Sequence, residues 1–572
     1  MIMIKTKKIR SICRFSAVSA AFFVSALLSG PALAAAPPFA PTPADPGGVM
    51  RDLETERRTP RVSDEAVTVP RYEDPDTDLS TEKVFVLNGV VLDEGTVYSD
   101  DALLRFYSDF LGEQVSFADL NRIARRITRK YREDGYVFSR AILPPQRIED
   151  GIVRLQAIEG RITNIEILGE YKDNAGLIRS FAEKIPTSGP ANTREIERYL
   201  LLIDDLPGIR ARSIMRPSEE RAGGELIITV EQKTFEGSVG IDNRGSRYLG
   251  PYRATVVGAF NALFSRHDRT TLRAIVTSQT RELRFADISH EQQVGTEGTR
   301  LKGRAAVTRT KPGGNIGNLN IDGDSELFDA ELLHPLLRNR RYNLNYFAGA
   351  TVLNSETDIL SGTVRTNDRI RTLRTGAAFD FIDPWGINRF DATLTKGIKA
   401  FGATSDGTGR SRVNASHSFV RANFNASRIQ NIYGNVSLLV SATGQATDQP
   451  LLASEEFSVG GPAFGRAYDS GEISGDQGYA GMAELRYNGF VGNNLIRDYQ
   501  LYGYIDYGKI RNINPTVGEN ANASVTSSGL GVRFNLEHDF SGSLELTNPM
   551  TRQVASEGDK DARVFFNILK RF

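Results

Sequence analysis

From residue 234 to Phe572 the chain alternates apolar and polar side chains with a period of two for about 340 residues, with no helical stretch between. In Tyr342–Val352 one face carries Tyr342, Leu344, Tyr346, Ala348, Ala350 and Val352, and the other Asn343, Asn345, Phe347, Gly349 and Thr351. Val436–Ala446 and Phe390–Thr395 repeat the pattern. Such alternation fits a half-buried soluble sheet or a barrel with lipid outside and water inside. Its persistence favours the barrel, as does a last strand, Arg563–Phe572, ending on an aromatic residue suited to the lipid–water boundary. At ~10 residues per strand the stretch holds about 14 to 18 strands, and an even count near sixteen is expected. No apolar run after residue 36 approaches the roughly 20 residues of a membrane helix, so passage through a bilayer requires a closed barrel.

Residues 1–36 have a basic start (Lys5, Lys7, Lys8, Arg10, Arg14), an apolar stretch from Phe15 to Leu28 and a small-residue exit at Ala34–Ala36, the pattern of a secretory signal peptide rather than a membrane anchor. The single cysteine, Cys13, lies inside it, so the mature chain has no disulfide. The chain has 70 basic and 70 acidic residues, and the five basic ones above leave a mildly acidic remainder, which argues against a nucleic-acid partner. Residues 37–81 are rich in Pro, charge and small residues, as a tether should be. Within it residues 48–58, with Met50 and Leu53, read as a short polar helix or as plain linker.

Residues 82–162 read strand, helix, helix, strand, strand. The first strand spans Lys83–Leu92, and the first helix starts near Ser99 with Leu103, Leu104, Tyr107 and Phe110. The second carries a capping box (Ser116, Asp119) and an apolar stripe of Leu120, Ile123, Ala124, Ile127 and Tyr131. Its other face, Arg122, Arg125, Arg126, Arg129 and Lys130, is a solvated row or a docking surface. Strands Phe138–Ile148 and Ile152–Gly160 follow, and the same order recurs over 163–233, with Asn192 as a helix cap. Two small α/β modules in tandem therefore precede the barrel.

One stretch of the barrel region is a long loop with sharp turns and a lone cation: Gly461-Pro-Ala-Phe-Gly465-Arg466-Ala467-Tyr468, running on to Asp476 and Gly478. Further strings stand out at Gly135-Tyr136, Ala141–Gln146 and Glu159-Gly160, at Asp242-Asn243 with Gly245 and Gly250, and at His334-Pro335 with Arg338 and Arg340. Through these residues the chain resembles the transporter half of two-partner secretion systems, in the outer-membrane protein 85 superfamily. The resemblance implies an all-β transmembrane barrel of about 16 antiparallel strands at 234–572. Ahead of it come a plug helix at 48–58 and two periplasmic polypeptide-transport-associated (POTRA) modules, 82–162 and 163–233, and within the barrel the string 334–340 becomes a periplasmic turn. The loop 455–478 becomes the sixth extracellular loop, folded into the lumen to present Arg466 between Gly465 and Tyr468, with Ala467 where glycine is usual. Its expected wall partner is Asp506 in Tyr504-Ile-Asp506-Tyr-Gly508, with Glu484 as a second candidate or neighbour; read from charge alone, Asp506 is otherwise a solvated lumen carboxylate.

The implied function is export of one large partner exoprotein, of adhesin or haemolysin type, in type V secretion from a Gram-negative outer membrane. The partner is bound in extended form by the modules, and the chain works as a monomer in lipid, without nucleotide, cofactor or metal. The competing readings are a barrel-assembly factor of the same superfamily, which usually has more than two modules, and a passive porin, which needs none. An enzyme is disfavoured: His267, His290, His334, His417 and His538 show no metal-ligand spacing, and no Gly-X-Ser-X-Gly elbow occurs.

Overall fold

The computed structural model describes residues 46–55 and 80–572, apart from 174–175, 220–221, 265–266, 405–408, 413, 493–494 and 517–518. The signal-peptide segment and most of the linker lie outside the described residues.

In the first module the central strand Ile152–Ile158 runs parallel to Gly89–Asp93 and antiparallel to Arg140–Ile142. Helix Phe117–Glu133 lays Leu120, Ile123, Ala124, Ile127 and Tyr131 into the core, and Ser116 and Asp119 form the expected capping box. The string Glu159-Gly160 has a mechanical reading here. Glu159 accepts from Thr96 N (2.8 Å), Val97 N (3.2 Å) and the Tyr131 hydroxyl (2.7 Å), and a Cβ at Gly160 would meet Phe138 Cβ at 2.5 Å. Burial and the Glu159 carboxylate push the Tyr131 hydroxyl above its ordinary pKa, so it stays a donor.

Three expected elements are shorter than predicted. The first strand breaks at the fully buried Leu87, and Lys83–Val86 leaves to pair with Gln114–Ser116. The first helix spans only Asp100–Leu104, Ser99 making no side-chain cap, and Ser108–Phe110 continues as a 3-10 turn. Strand Phe138–Ile148 shrinks to Arg140–Ile142, because Pro144 and Pro145 have no N–H for a ladder.

The second module repeats the order, with Gly223–Gln232 central between Arg161–Leu168 (parallel) and Ile209–Pro217 (antiparallel) and helices Leu177–Ala182 and Thr193–Asp204 alongside. The two modules join where one helix ends and another begins. Thr193 N (2.9 Å) and Oγ1 (2.8 Å) donate to the Gly135 carbonyl, and the Arg194 guanidinium to that of Glu133 (3.0 Å). Orphan carbonyls of one helix end thus meet the donor-rich start of the next, with their dipoles in series.

Sixteen of the remaining strands close a barrel, from Phe235–Asp242 to Arg563–Arg571, all antiparallel. The alternation resolves as apolar side chains outward (Val256, Leu272, Phe328, Phe424, Leu530, Val564) and charged ones buried inside (Arg273, Asp287, Glu484, Asp506, Glu545). His334 and Pro335, expected in a turn, lie within strand Asp322–Arg338, whose ladder shifts register between Pro335 and Leu337, where proline has no N–H to give.

Turns at one barrel end hold the second module. Arg338 makes a two-pronged pair with Asp205 (2.7 and 2.8 Å), Glu197 accepts from Arg340 N (2.7 Å), and Glu297 pairs with Lys184 and with Arg198 (3.5 Å). His267 Nε2 lies 2.9 Å from Asp173 Oδ1. Arg338→Ala is expected to weaken this seat by about 1 kcal/mol, because Asp205 is still partly solvated. Spin labels on the second module should then gain mobility relative to the barrel, while the barrel itself keeps its heat-modifiable migration in SDS gels.

Candidate functional site

Between strands Val436–Thr447 and Gln477–Phe490 the chain turns into the lumen as a hairpin, Phe457–Val459 pairing antiparallel with Ile473–Gly475. Its bend requires glycine: Gly460 has φ 130°, and a Cβ there would come 2.0 Å from the Asp469 carbonyl. The tip is a tight turn in which Tyr468 N donates to the Gly465 carbonyl at 2.8 Å. Ala467 has no positive φ and its methyl is fully buried beside Val459 and Tyr468, so this tip does not require glycine at 467. Gly478, read from sequence as part of the loop, already belongs to the wall strand Gln477–Phe490.

Arg466 is buried, and its guanidinium pairs with Glu484 (Nη1 to Oε2, 2.5 Å) over the Tyr504 ring, 4.3 Å from its centroid, with Glu545 at 3.7 Å. The expected guanidinium pairing with Asp506 is therefore corrected. Asp506 instead accepts the backbone N–H of Arg466 (3.1 Å) and the Ser527 hydroxyl. Register explains the exchange. Glu484 stands opposite Tyr504, the ring on which the guanidinium stacks, whereas Asp506 stands opposite Met482 beneath the tip's main chain. Glu484 also holds Arg486 (2.6 Å) and, on both oxygens, Arg533 (2.9 and 3.0 Å).

The two wall glycines make room for the loop. A Cβ on Gly508 would come 2.5 Å from Val459 Cγ1, and one on Gly478 would come 2.3 Å from Phe457 Cδ1. Asp476 is fully buried at the loop's base, accepting from Arg412 (2.6 Å), Leu451 N (2.6 Å) and Ile513 N (2.7 Å). The Tyr468 hydroxyl is held by Thr551 N and Arg552 N, both at 3.2 Å.

Helix Pro46–Thr55 lies inside the barrel, with Met50 and Leu53 buried among Ile275, Phe285, Leu353, Phe419, Leu451 and Leu452. Of the span 48–58 expected for it, residues 56–58 lie outside the described residues. The helix is tied to the loop through Arg51 to the Ser454 carbonyl (2.7 Å) and the Ser458 hydroxyl to Asp52 (2.8 Å), and to the wall through Arg273 to the Leu53 carbonyl (3.2 Å).

Sequence reasoning missed Glu545, Arg244 and Arg563. Glu545 accepts from the Tyr502 hydroxyl (2.6 Å) and Arg244 (2.5 Å), and Arg244 in turn donates to the Arg466 carbonyl (2.9 Å). A lone acid at an inward position of Ser543-Leu544-Glu545-Leu546-Thr547 was the available signal, but nothing local names its partners.

A sixteen-stranded barrel with a helix and an inward-folded loop in its lumen, carried behind two α/β modules, defines an outer-membrane transporter whose modules stand in the periplasm. Residues 85–160 match the ShlB-type POTRA domain. The chain belongs to the haemolysin secretion/activation protein ShlB/FhaC/HecB family, whose profile matches residues 225–534, more than half its length. It is similar to the heme/hemopexin transporter protein HuxB of Haemophilus influenzae (strain 86-028NP), 25% identical over 98% of this chain and 99% of the relative. The outer membrane transporter CdiB of Escherichia coli O6:K15:H31 is 24% identical over 71% of this chain and 69% of its own. The solved structure of CdiB from Escherichia coli superposes with a TM-score of 0.74 at 18% identity, covering 92% of this chain and 99% of that one. That of CdiB from Acinetobacter baumannii gives 0.65 at 15% identity, over 92% and 96%.

Because three guanidinium groups converge on a carboxylate with no solvent exposure, Glu484→Gln is expected to destabilise the folded barrel by about 3–5 kcal/mol. Asp506→Asn, which keeps an oxygen for the Arg466 N–H, should cost less. The midpoint temperature of heat-modifiable unfolding in SDS ranks the two, and an equal or reversed order would refute the revised pairing.

Proposed function

We propose that this chain exports one large partner exoprotein, of haemolysin or adhesin type, in extended form through a lumen that the Pro46–Thr55 helix and the Phe457–Gly475 hairpin occupy at rest. The observation that carries the reading is that a helix and a hairpin fill the lumen without being part of its wall, the helix held through Met50, Leu53 and Arg273 and the hairpin through the Arg466–Glu484 pair, on a barrel whose fold and family are those of secretion transporters. Residues 1–36 serve as the signal peptide, 82–162 and 163–233 act as two POTRA modules, and the chain works as a monomer. Edge strands Gly89–Asp93 and Arg140–Ile142 in the first module, and Arg161–Leu168 and Ile209–Pro217 in the second, offer sites where an unfolded partner adds a strand. Main-chain pairing suits such a client, since it reads only alternate side chains. Arg466 stabilises the resting loop, with Gly465, Tyr468, Asp476 and Gly478 shaping it and Glu484, Asp506 and Gly508 receiving it.

In cells co-expressing a partner exoprotein, Arg466→Ala is expected to leave the barrel in the membrane and to lower secretion about tenfold or more, given the loss of a buried ion pair. Undiminished secretion would sink the assignment. Deleting residues 46–55 should raise conductance in planar bilayers, and an unchanged current would remove the helix from the role of plug.

A further inference from the structure

Strand Val364–Asp383 turns its even-numbered side chains inward, Ile370 packing with Met50 and Leu53 in the lumen, and its odd-numbered ones outward. The outward series from Phe381 through Phe379, Ala377 and Thr375 to Leu373 carries no charge. At about 3.4 Å per residue, and tilted as barrel strands are, it spans roughly 20 Å, close to the apolar band of about 25 Å that such barrels turn to lipid. The next two outward positions, toward the barrel end away from the modules, are Arg371 and Arg369. The neighbouring strand Gly386–Gly397 changes at the same height: Phe390, Ala392 and Leu394 face lipid, and Lys396, opposite Leu373, follows. Three cations thus stand together where the hydrocarbon ends and the extracellular headgroups begin.

Arg371 is only 7% exposed, and its guanidinium donates to the carbonyls of Leu353 (3.0 Å), Ile370 (2.9 Å) and Phe401 (3.0 Å) and to the Asn354 side chain (3.0 Å), all neutral acceptors. The one charge that acts on it among the described residues is that of Arg369, another cation. Neither Arg369 nor Lys396 has a carboxylate partner among the described residues, and Lys396 Nζ reaches the Ser418 hydroxyl at 3.4 Å. Further round the wall the same outward rim is neutralised: Arg309 pairs with Asp324 (3.0 Å) and Lys311 with Asp322 (2.9 Å). A buried cation without a counter-charge is costly, and a like charge beside it raises the cost.

We propose that Arg369 and Lys396, with Arg371 behind them, bind a phosphate of the outer leaflet's lipopolysaccharide, a glycolipid that carries its phosphates at this height above its acyl chains. The guanidinium and ammonium groups supply charge-assisted hydrogen bonds to phosphate oxygens, and Leu373 and Leu394, both exposed beneath the cations, receive the acyl chains. Phe401, 84% exposed, adds an aromatic side chain at the lipid–water boundary. The Phe401 carbonyl accepts from Arg371, and Thr404 N donates to the Arg369 carbonyl (3.0 Å), so the bound lipid sits at the root of an extracellular loop.

The full chain, purified in a zwitterionic detergent, is expected to bind diphosphoryl lipid A about tenfold or more tightly than the same lipid stripped of its phosphates, the effect of one or two charge-assisted hydrogen bonds. Arg369→Gln/Lys396→Gln should lose about the same factor for diphosphoryl lipid A. Arg309→Gln/Lys311→Gln, on the acid-paired part of the rim, should keep the parent's affinity. All four side chains are exposed, so each variant should retain the parent's heat-modifiable band, and the comparison of the two lipids needs no variant at all. Inorganic phosphate, which has no acyl chains to lay on Leu373 and Leu394, should not displace the lipid. Equal binding of the two lipids, undiminished binding by the Arg369/Lys396 variant, an equal loss in the Arg309/Lys311 variant, or displacement by inorganic phosphate would each overturn the assignment.

Discussion

Glu484 is a carboxylate with no exposed surface that holds Arg466, Arg486 and Arg533 at once. Taking a carboxylate out of water costs several kcal/mol, and three guanidinium groups offset it only while all are in place. One of them, Arg466, comes from the loop, so the wall is electrostatically incomplete without the hairpin in the lumen. The remaining features of the site follow from this need. Gly508 and Gly478 lack side chains where the hairpin must lie, Asp506 fixes its main chain, and Asp476 anchors its base.

The helix Pro46–Thr55 belongs to a second layer of the same arrangement. Its apolar contacts, Met50 and Leu53, bury against wall residues and against Leu451 and Leu452 at the root of the loop, and its polar ones reach Ser454 and Ser458 on the loop itself. Part of what the helix rests on is therefore loop, so a displaced hairpin removes part of the helix's seat.

The barrel and the two-module order were legible from periodicity, because a two-residue repeat and a 3.6-residue repeat leave different traces over tens of residues. The arginine was legible too, as the lone cation between glycines. Its partner was not: Asp506 and Glu484 both lie on inward faces, and the choice rests on which of them stands opposite Tyr504, a matter of strand register that no local pattern encodes. Arg244 meets Glu545 across 301 residues of chain, and only closure of the barrel brings it beside Glu545 and Arg563. Where local chemistry overrode periodicity, as at Pro144-Pro145 or at Pro335, elements ended or shifted earlier than alternation alone suggests.

Four of the contacts that keep the lumen occupied share one chemical character. Arg51 binds the Ser454 carbonyl, Arg273 the Leu53 carbonyl, Arg244 the Arg466 carbonyl and Arg563 the Ala467 carbonyl. A guanidinium that binds a main-chain carbonyl does not read sequence, and an extended polypeptide presents a carbonyl about every 3.3 Å. On the proposed export reading, carbonyls of a threading partner would take the place of the Leu53 carbonyl on Arg273, and of the loop-tip carbonyls on Arg244 and Arg563, as the resident helix and hairpin withdraw. Such an exchange keeps those wall cations hydrogen-bonded.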